Sequence, residues 1–392
     1  MTHLINPTMR QFILLLLTSA FSLSASAQEW KIVERGFLYD NDVPPTCHAA
    51  TLVEADNGDI IASFFGGTYE GHPDSDVWMC RFVQKKKQWT APEILADGVL
   101  TRYTRSAFDY DPLLNEILNR NERFAKTTWL GLAKHSGEAL IINKVRKPCY
   151  NPVLYIAQNG ELVLDYKIGS NMQDWTGWEI RSKDGGKNWT HPRALTDDPE
   201  QRFLRLGPIK NKPIVNDGRI IAGSSTEITY DSWKVHFELS DDDGKNWYKS
   251  EVECDTILCI QPTILKLGDN HLKALCRTRH HRVAVTESKD NGTTWTPMRL
   301  TDMKHNNSGI DAVTLHDGTH LLIANDTDND ARRSPLTLFA SSDGEKWKKI
   351  IDVEGDDGKE YSYPAIIETR NGDVWIIYTW HREKMAYVHL TR

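Results

Sequence analysis

After residue 27 the chain has no apolar run long enough to cross a bilayer, so a helical membrane span is excluded. No Cys or His spacing has the form of a zinc site, and no metal or other cofactor is expected. Positive charge is in deficit: 47 Lys and Arg against 54 Asp and Glu leave a net charge of -7, which argues against a nucleic-acid partner. The one basic run, Lys85-Lys86-Lys87, reads as a solvated turn. Cysteine is sparse, with Cys47, Cys80, Cys149, Cys254, Cys259 and Cys276. Cys254 and Cys259 are close enough to clip one loop; unpaired burial is the alternative, and the pairing is not readable.

The amino terminus is of a different kind. Arg10 precedes an apolar run from Phe12 to Leu17, and small residues end in Ala25-Ser26-Ala27 before Gln28. That order predicts a secretory signal over 1–27, cleaved after Ala27, and a mature chain, 28–392, that is secreted or periplasmic. No cysteine follows the cleavage site to take a lipid.

What the chain has in quantity is a repeat. A polar residue opens a short apolar strand that runs into a glycine turn, six times: His48 to Gly58, Asn151 to Gly160, Lys212 to Gly218, Gln261 to Gly268, Asp311 to Gly318 and Tyr363 to Gly372. The glycines are 102, 58, 50, 50 and 54 residues apart. Strand-built periods near 50 predict propeller blades, because each four-stranded unit buries its faces only against neighbours. The first interval holds one blade of motif in two periods of chain, which places an insertion at about 101–146. Within it Asp111 and Pro112 form an N-cap and N1 pair, and Leu113, Leu114, Ile117 and Leu118 keep helical spacing. The expectation is an all-β, six-bladed propeller over 28–392 with a partly helical insertion between blades 1 and 2. Trp30 to Glu34 is expected to complete the last blade by pairing with Trp375 to Tyr378.

A second repeat runs in step. Ser182 to Trp189, Ser240 to Trp247 and Ser288 to Trp295 share Ser-x-Asp-x-Gly-x-x-Trp, and Ser341 to Trp347 is a copy one residue short. Ser and Asp bond the turn backbone, Gly takes the left-handed conformation, and Trp anchors the core. These turns are structural staples. Chemistry is expected elsewhere, where the innermost strands begin. His48, Asn151, Lys212, Gln261, Asp311 and Tyr363 are chemically unlike one another and should converge at one channel end. The loops carrying Glu70, His72 and Asp74, then Arg277, Arg333 and Glu360, lie beside them. Trp175, Trp178, Trp233 and Trp380 suit either sugar stacking or packing.

With these residues the chain resembles the sialidase (neuraminidase) superfamily, in particular its bacterial members with Asp-box repeats. The resemblance covers about 43–392 apart from the insertion. Leu206 to Pro213, Asn307 to Ala312 and Glu360 to Pro364 carry it most closely. It implies a six-bladed propeller that holds a sugar carboxylate with three arginines, attacks with a Tyr activated by a Glu, and protonates the leaving oxygen with an Asp. Those roles fall on Tyr361, on Arg277 and on Arg333, which stands 28 residues before Tyr361. The acid falls on Asp74, with Glu70 second; a turn cap after Pro73 is the competing role for Asp74. Two positions depart: the first arginine is His48, and the glutamate is Gln261, which takes no proton. Another base is then required, from Glu227, Glu360 or His48.

The function this implies is an exo-glycosidase that releases a terminal acidic sugar, with Lys212 helping to hold the carboxylate. A propeller polysaccharide lyase using His48 or Tyr361 as base is the first alternative, and a non-catalytic glycan-binding propeller the second. The expected partner is an acidic glycan or oligosaccharide.

Overall fold

Strands that are apolar on both faces and separated by tight glycine turns bury both faces by stacking sheet on sheet in a ring. The computed structural model, which describes residues 29–41, 43–105, 129–135, 138–195, 206–227, 229 and 231–392, shows that solution. Six antiparallel sheets of four strands, the first with a fifth short strand, form the blades. Their inner strands are Thr46–Glu54, Cys149–Ile156, Ile214–Asn216, Cys259–Lys266, Asp311–Thr314 and Tyr361–Glu368. Apolar faces meet between neighbouring blades, as where Phe64 and Phe82 of blade 1 pack with Trp375 and Tyr387 of blade 6.

The ring closes with Lys31–Phe37 as the outer strand of blade 6. Its partner is Lys384–Thr391, with Lys31 opposite Thr391, and not the expected Trp375 to Tyr378. That segment is already flanked on both sides within blade 6, so only the strand beyond it offers a free edge. An insertion stands between blades 1 and 2. Its described part is a three-stranded antiparallel sheet of Val99–Arg105, Glu138–Arg146 and Trp129–His135, and the helix expected from Asp111 to Leu118 lies outside the described residues. Among the described residues there is no helix. All six cysteines are buried free thiols, so no clip joins Cys254 to Cys259.

Four inner strands carry a bulge at their start, where the register shifts and one residue takes a positive φ. That residue is Ala49 (φ 56), Asn151 (φ 45), Gln261 (φ 55) and Tyr363 (φ 49). A bulge re-aims the side chains around it. Two residues further on, a side chain bridges to the next blade, where inner strands are too splayed to pair by backbone alone. Thr51 Oγ1 accepts from Leu154 N (2.9 Å), Thr263 Oγ1 from Ala312 N (3.0 Å), and Asp311 from Ile366 N (2.9 Å). Across the ring, buried Lys210 donates to the carbonyls of Ile310 (2.9 Å) and Pro364 and so crosses the axis from blade 3 to blades 5 and 6.

The serine and aspartate turns do what their composition predicts. In the third, Ser288 Oγ accepts from Gly292 N (2.9 Å), Asp290 Oδ1 from Thr294 N (2.8 Å), and Trp295 Nε1 donates to Gly292 O (3.0 Å). The shortened copy keeps the scheme, with Gly344 N on Ser341 and Lys346 N on Asp343, both at 2.9 Å. The amides of Lys346 and Glu345 hold the Asp343 carboxyl down to about 2; those of Asn246 hold Asp242 below its usual range. A carboxyl depressed in the folded state stabilises fully above its unfolded value, about 4, and loses that contribution as pH falls through its folded value. The melting temperature should therefore hold from about pH 7 to 5 and drop between about 4 and 2. In Asp242→Ala with Asp290→Ala, thermal melts followed by circular dichroism should show a shallower acid drop.

Candidate active site

Strand alternation puts the starts of all inner strands, and all connections between second and third strands, at one end of the ring; the Asp-box turns occupy the other. At the first end the loop of blade 1 faces the turn of blade 6. Between them His48, Phe65, Gly66, Gly67, Tyr69, Glu70 and Arg382, with Thr46, Cys47 and Ser75, line a cavity of about 260 Å³. Gly67 is required there, since a Cβ would stand 2.6 Å from Asp74 Oδ1.

Arg277, buried at the end of the second strand of blade 4, is held on every side. It donates to Tyr363 Oη (2.5 Å), Gln261 Oε1 (3.3 Å), Asn307 Oδ1 (2.6 and 3.0 Å) and Asn307 O (2.9 Å). Its guanidinium stands 5.5 Å from the Trp233 ring and 5.6 Å from that of Tyr363. Arg333, also 5.6 Å from the Tyr363 ring, donates to Glu360 (2.9 Å) and Ser362 Oγ (3.4 Å). His48 completes the group, its ring centre 4.1 Å from that of Tyr363 and edge-on to Phe65. Burial, then the charges of Arg382, Arg333, Arg277 and Lys210, hold the His48 pKa well below the usual imidazole value, so the ring is neutral. Its Nδ1 is buried without a hydrogen-bond partner among the described residues.

Glu360 sits among the arginines. Burial pushes its carboxyl up, but Arg333, Arg382 and Ser362 outweigh that and keep it ionised below the usual range. Burial raises Glu227, against the pull of Arg277; it is hydrogen-bonded by Ser225 at 3.2 Å at the end of the second strand of blade 3. Asp74 caps its own loop, accepting from Thr68 N (2.9 Å) and Oγ1 (2.6 Å) with His72 Nδ1 at 2.6 Å. Burial opposes these contacts, but they prevail and lower its pKa. Glu70 lines the cavity and Asp74 does not.

Three expected convergences are corrected by the geometry. Tyr361 turns away: its hydroxyl donates to Asp357 (2.8 Å) and its ring packs in the core between blades 5 and 6. Lys212 and Asp311 lie two residues beyond the bulge position and form an ion pair of 2.8 Å; Lys212 also bonds Ala312 O, and Asp311 serves as an inter-blade staple. Asn151, buried at the bulge of blade 2, keeps the position that Gln261 and Tyr363 hold in their blades. The structure thus brings together His48, Tyr363, Gln261, Arg277, Arg333, Glu360 and Glu70.

Arg382 was not foreseen. It lies in the turn between the second and third strands of blade 6, bonded to Glu70 (2.6 Å) and Glu360 (3.1 and 3.2 Å). The signal was available, because Arg333 belongs to the same class of connection in blade 5.

Fold and repeated turns define a six-bladed β-propeller of the sialidase type. The chain belongs to the BNR repeat-like domain family, whose model matches residues 58–376. It is similar to the curated anhydrosialidase of Macrobdella decora, 24% identical over an alignment of 240 residues that covers 52% of this chain and 30% of that one. The match thus spans under a third of that relative's length. Among solved structures, a protein of unknown function from Dyadobacter fermentans superposes with a TM-score of 0.65 at 17% identity, covering 93% of this chain and 99% of that one. The NanB sialidase of Streptococcus pneumoniae gives 0.62 at 12% identity, covering 92% and 70%.

Proposed function

We propose that this protein is a glycoside hydrolase that releases a terminal acidic sugar from a glycan. One observation carries the reading: the Tyr363 phenol lies 2.5 Å from the Arg277 guanidinium, beside Arg333, at the mouth of the ring. A guanidinium fork matches a carboxylate bidentately, a role that suits Arg333, while Arg277, its donors engaged by Tyr363, Gln261 and Asn307, contributes its positive charge. Removal of the phenol's proton leaves negative charge on the Tyr363 oxygen, which Arg277 steadies until that charge is spent in the bond to the anomeric carbon as the leaving oxygen departs protonated. Tyr363 therefore takes the role expected of Tyr361. Proton removal falls to Glu360, and Glu70, which faces the cavity, is better placed than Asp74 to protonate the leaving oxygen. With segment 1–27 cleaved as a signal, the reaction takes place outside the cytoplasm.

A second reading has its own support. A neutral imidazole with an unpartnered Nδ1, packed on Tyr363, suits proton abstraction from an arginine-neutralised uronate, which is lyase chemistry. Purified protein incubated with sialylated and uronate-capped oligosaccharides, with products read by mass spectrometry and ultraviolet absorbance, separates the two. Hydrolysis gains one water and gives a saturated free acidic sugar. An unsaturated, absorbing product favours the lyase, and binding without any product sinks both.

A further inference from the structure

We propose that Lys210 is a positioning residue for the Tyr363 phenol, holding from across the axis the backbone that aims it at Arg277. The inference rests on the role given to Tyr363 above. Lys212 and Asp311 stand two residues past the bulge position, as Thr51 and Thr263 do, so that position is Lys210 in blade 3 and Gly309 in blade 5. Lys210 shares the left-handed backbone of the bulge residues (φ 67). Its Nζ donates to Asn211 Oδ1 (2.9 Å), Ile310 O (2.9 Å) and Pro364 O. Pro364 follows Tyr363 directly and lies inside the same bulge, so its carbonyl belongs to the stretch of chain that sets the direction of the phenol. Asn211 Nδ2 in turn donates to Gln261 O (2.9 Å), and Gln261 Oε1 accepts from Arg277. Lys210 and Asn211 thus tie down both sides of the 2.5 Å bond between Tyr363 and Arg277.

Bracing alone does not account for a lysine here. Three oxygens take three N–H groups, which only the ammonium supplies. Burial pushes its pKa down to about 7, helped by Lys212 and Arg277 and opposed by Asp311. A cation is therefore kept out of water near a second cation, where packed apolar side chains would cost less stability. What an apolar side chain cannot do is fix a carbonyl in place. The packing points the same way. A Cβ on Gly309 would stand 3.1 Å from both Lys210 Cε and Tyr363 Cγ, so glycine leaves the room that the lysine chain and the phenol ring share.

The test joins steady-state kinetics of the mature chain, on sialyllactose and on a glucuronate-capped oligosaccharide, with crystal structures of the variants. Lys210→Met should lower kcat by about 100-fold with KM within about 2-fold, and its structure should show the Tyr363 hydroxyl out of hydrogen-bond reach of Arg277. In a Tyr363→Phe background the same change should cost less than about 2-fold, since no phenol is left to aim. Gly309→Ala keeps every polar group and covers the case in which Lys210→Met does not fold; its methyl should push the ring aside and lower kcat by about 10-fold. A Tyr363 hydroxyl still bonded to Arg277 in Lys210→Met, or, where that variant does not fold, an unchanged kcat in Gly309→Ala, overturns the role of Lys210 and leaves the acidic-sugar reading standing. A wild type that cleaves neither probe overturns that reading, and the place of the Tyr363 hydroxyl in the variant structures still decides for or against Lys210.

Discussion

Tyr363→Phe is expected to lower turnover on a cleaved acidic glycan by on the order of 10³-fold, about 4 kcal/mol of barrier, with little change in substrate affinity. The change removes one oxygen. The ring keeps its contacts with His48 at 4.1 Å and with both guanidiniums at 5.6 Å, so the mouth of the ring keeps its shape. What is lost is the nucleophile and its bond to Arg277. Tyr361→Phe is the control that gives the experiment its force. It gives up only the bond to Asp357, worth about 1 kcal/mol, and should leave turnover within about 2-fold. Steady-state rates for the two variants, measured on one substrate, decide which tyrosine acts. A silent Tyr363 beside a dead Tyr361 would return the chemistry to the other face of the strand.

The largest effect on stability is expected at Asp311. Its carboxylate, 1% exposed, accepts from Thr263 Oγ1 (2.8 Å), Lys212 Nζ (2.8 Å), Ala312 N (2.9 Å) and Ile366 N (2.9 Å). Asp311→Ala would strand a half-buried ammonium and at least one buried amide, a loss of about 3–5 kcal/mol. For a chain of this size that lowers the melting temperature by roughly 4–6 °C. Asp311→Asn keeps the shape and some of the bonds, so it should melt between the two and retain most turnover. Melts within about 1 °C of wild type for Asp311→Ala would show that the blades do not depend on this staple.

The blades could be read from the chain because glycine turns and the Ser-x-Asp-x-Gly-x-x-Trp boxes are local chemistry repeated at a fixed interval. The register of the inner strands could not, and the reason is specific. The bulge is a backbone event, and the residues that fill it, Ala49, Asn151, Gln261 and Tyr363, share no side-chain property. Aligning His48 with the other three slipped blade 1 by one residue, and aligning Lys212 and Asp311 slipped blades 3 and 5 by two. A count back from the turn glycine would have corrected blade 1, since Ala49, Asn151 and Tyr363 each stand nine residues before theirs. The attacking role was read onto Tyr361, and plain alternation would put Tyr361 and Tyr363 on one face; the intervening bulge separates them. Arg277 and Arg333 were legible because they lie in connections that the blade count already placed at the channel mouth. Arg382 lies in one too, the three-residue turn of His381, Arg382 and Glu383, and the same blade count would have placed it there.

Lys210 sets a last constraint on whatever enters. By reaching over the axis to carbonyls of blades 5 and 6, it spans the bore close to Tyr363. A polymer cannot be threaded through such a blind well. On the acidic-sugar reading proposed above, the well takes a chain tip, and the freed piece would back out through the opening by which it came.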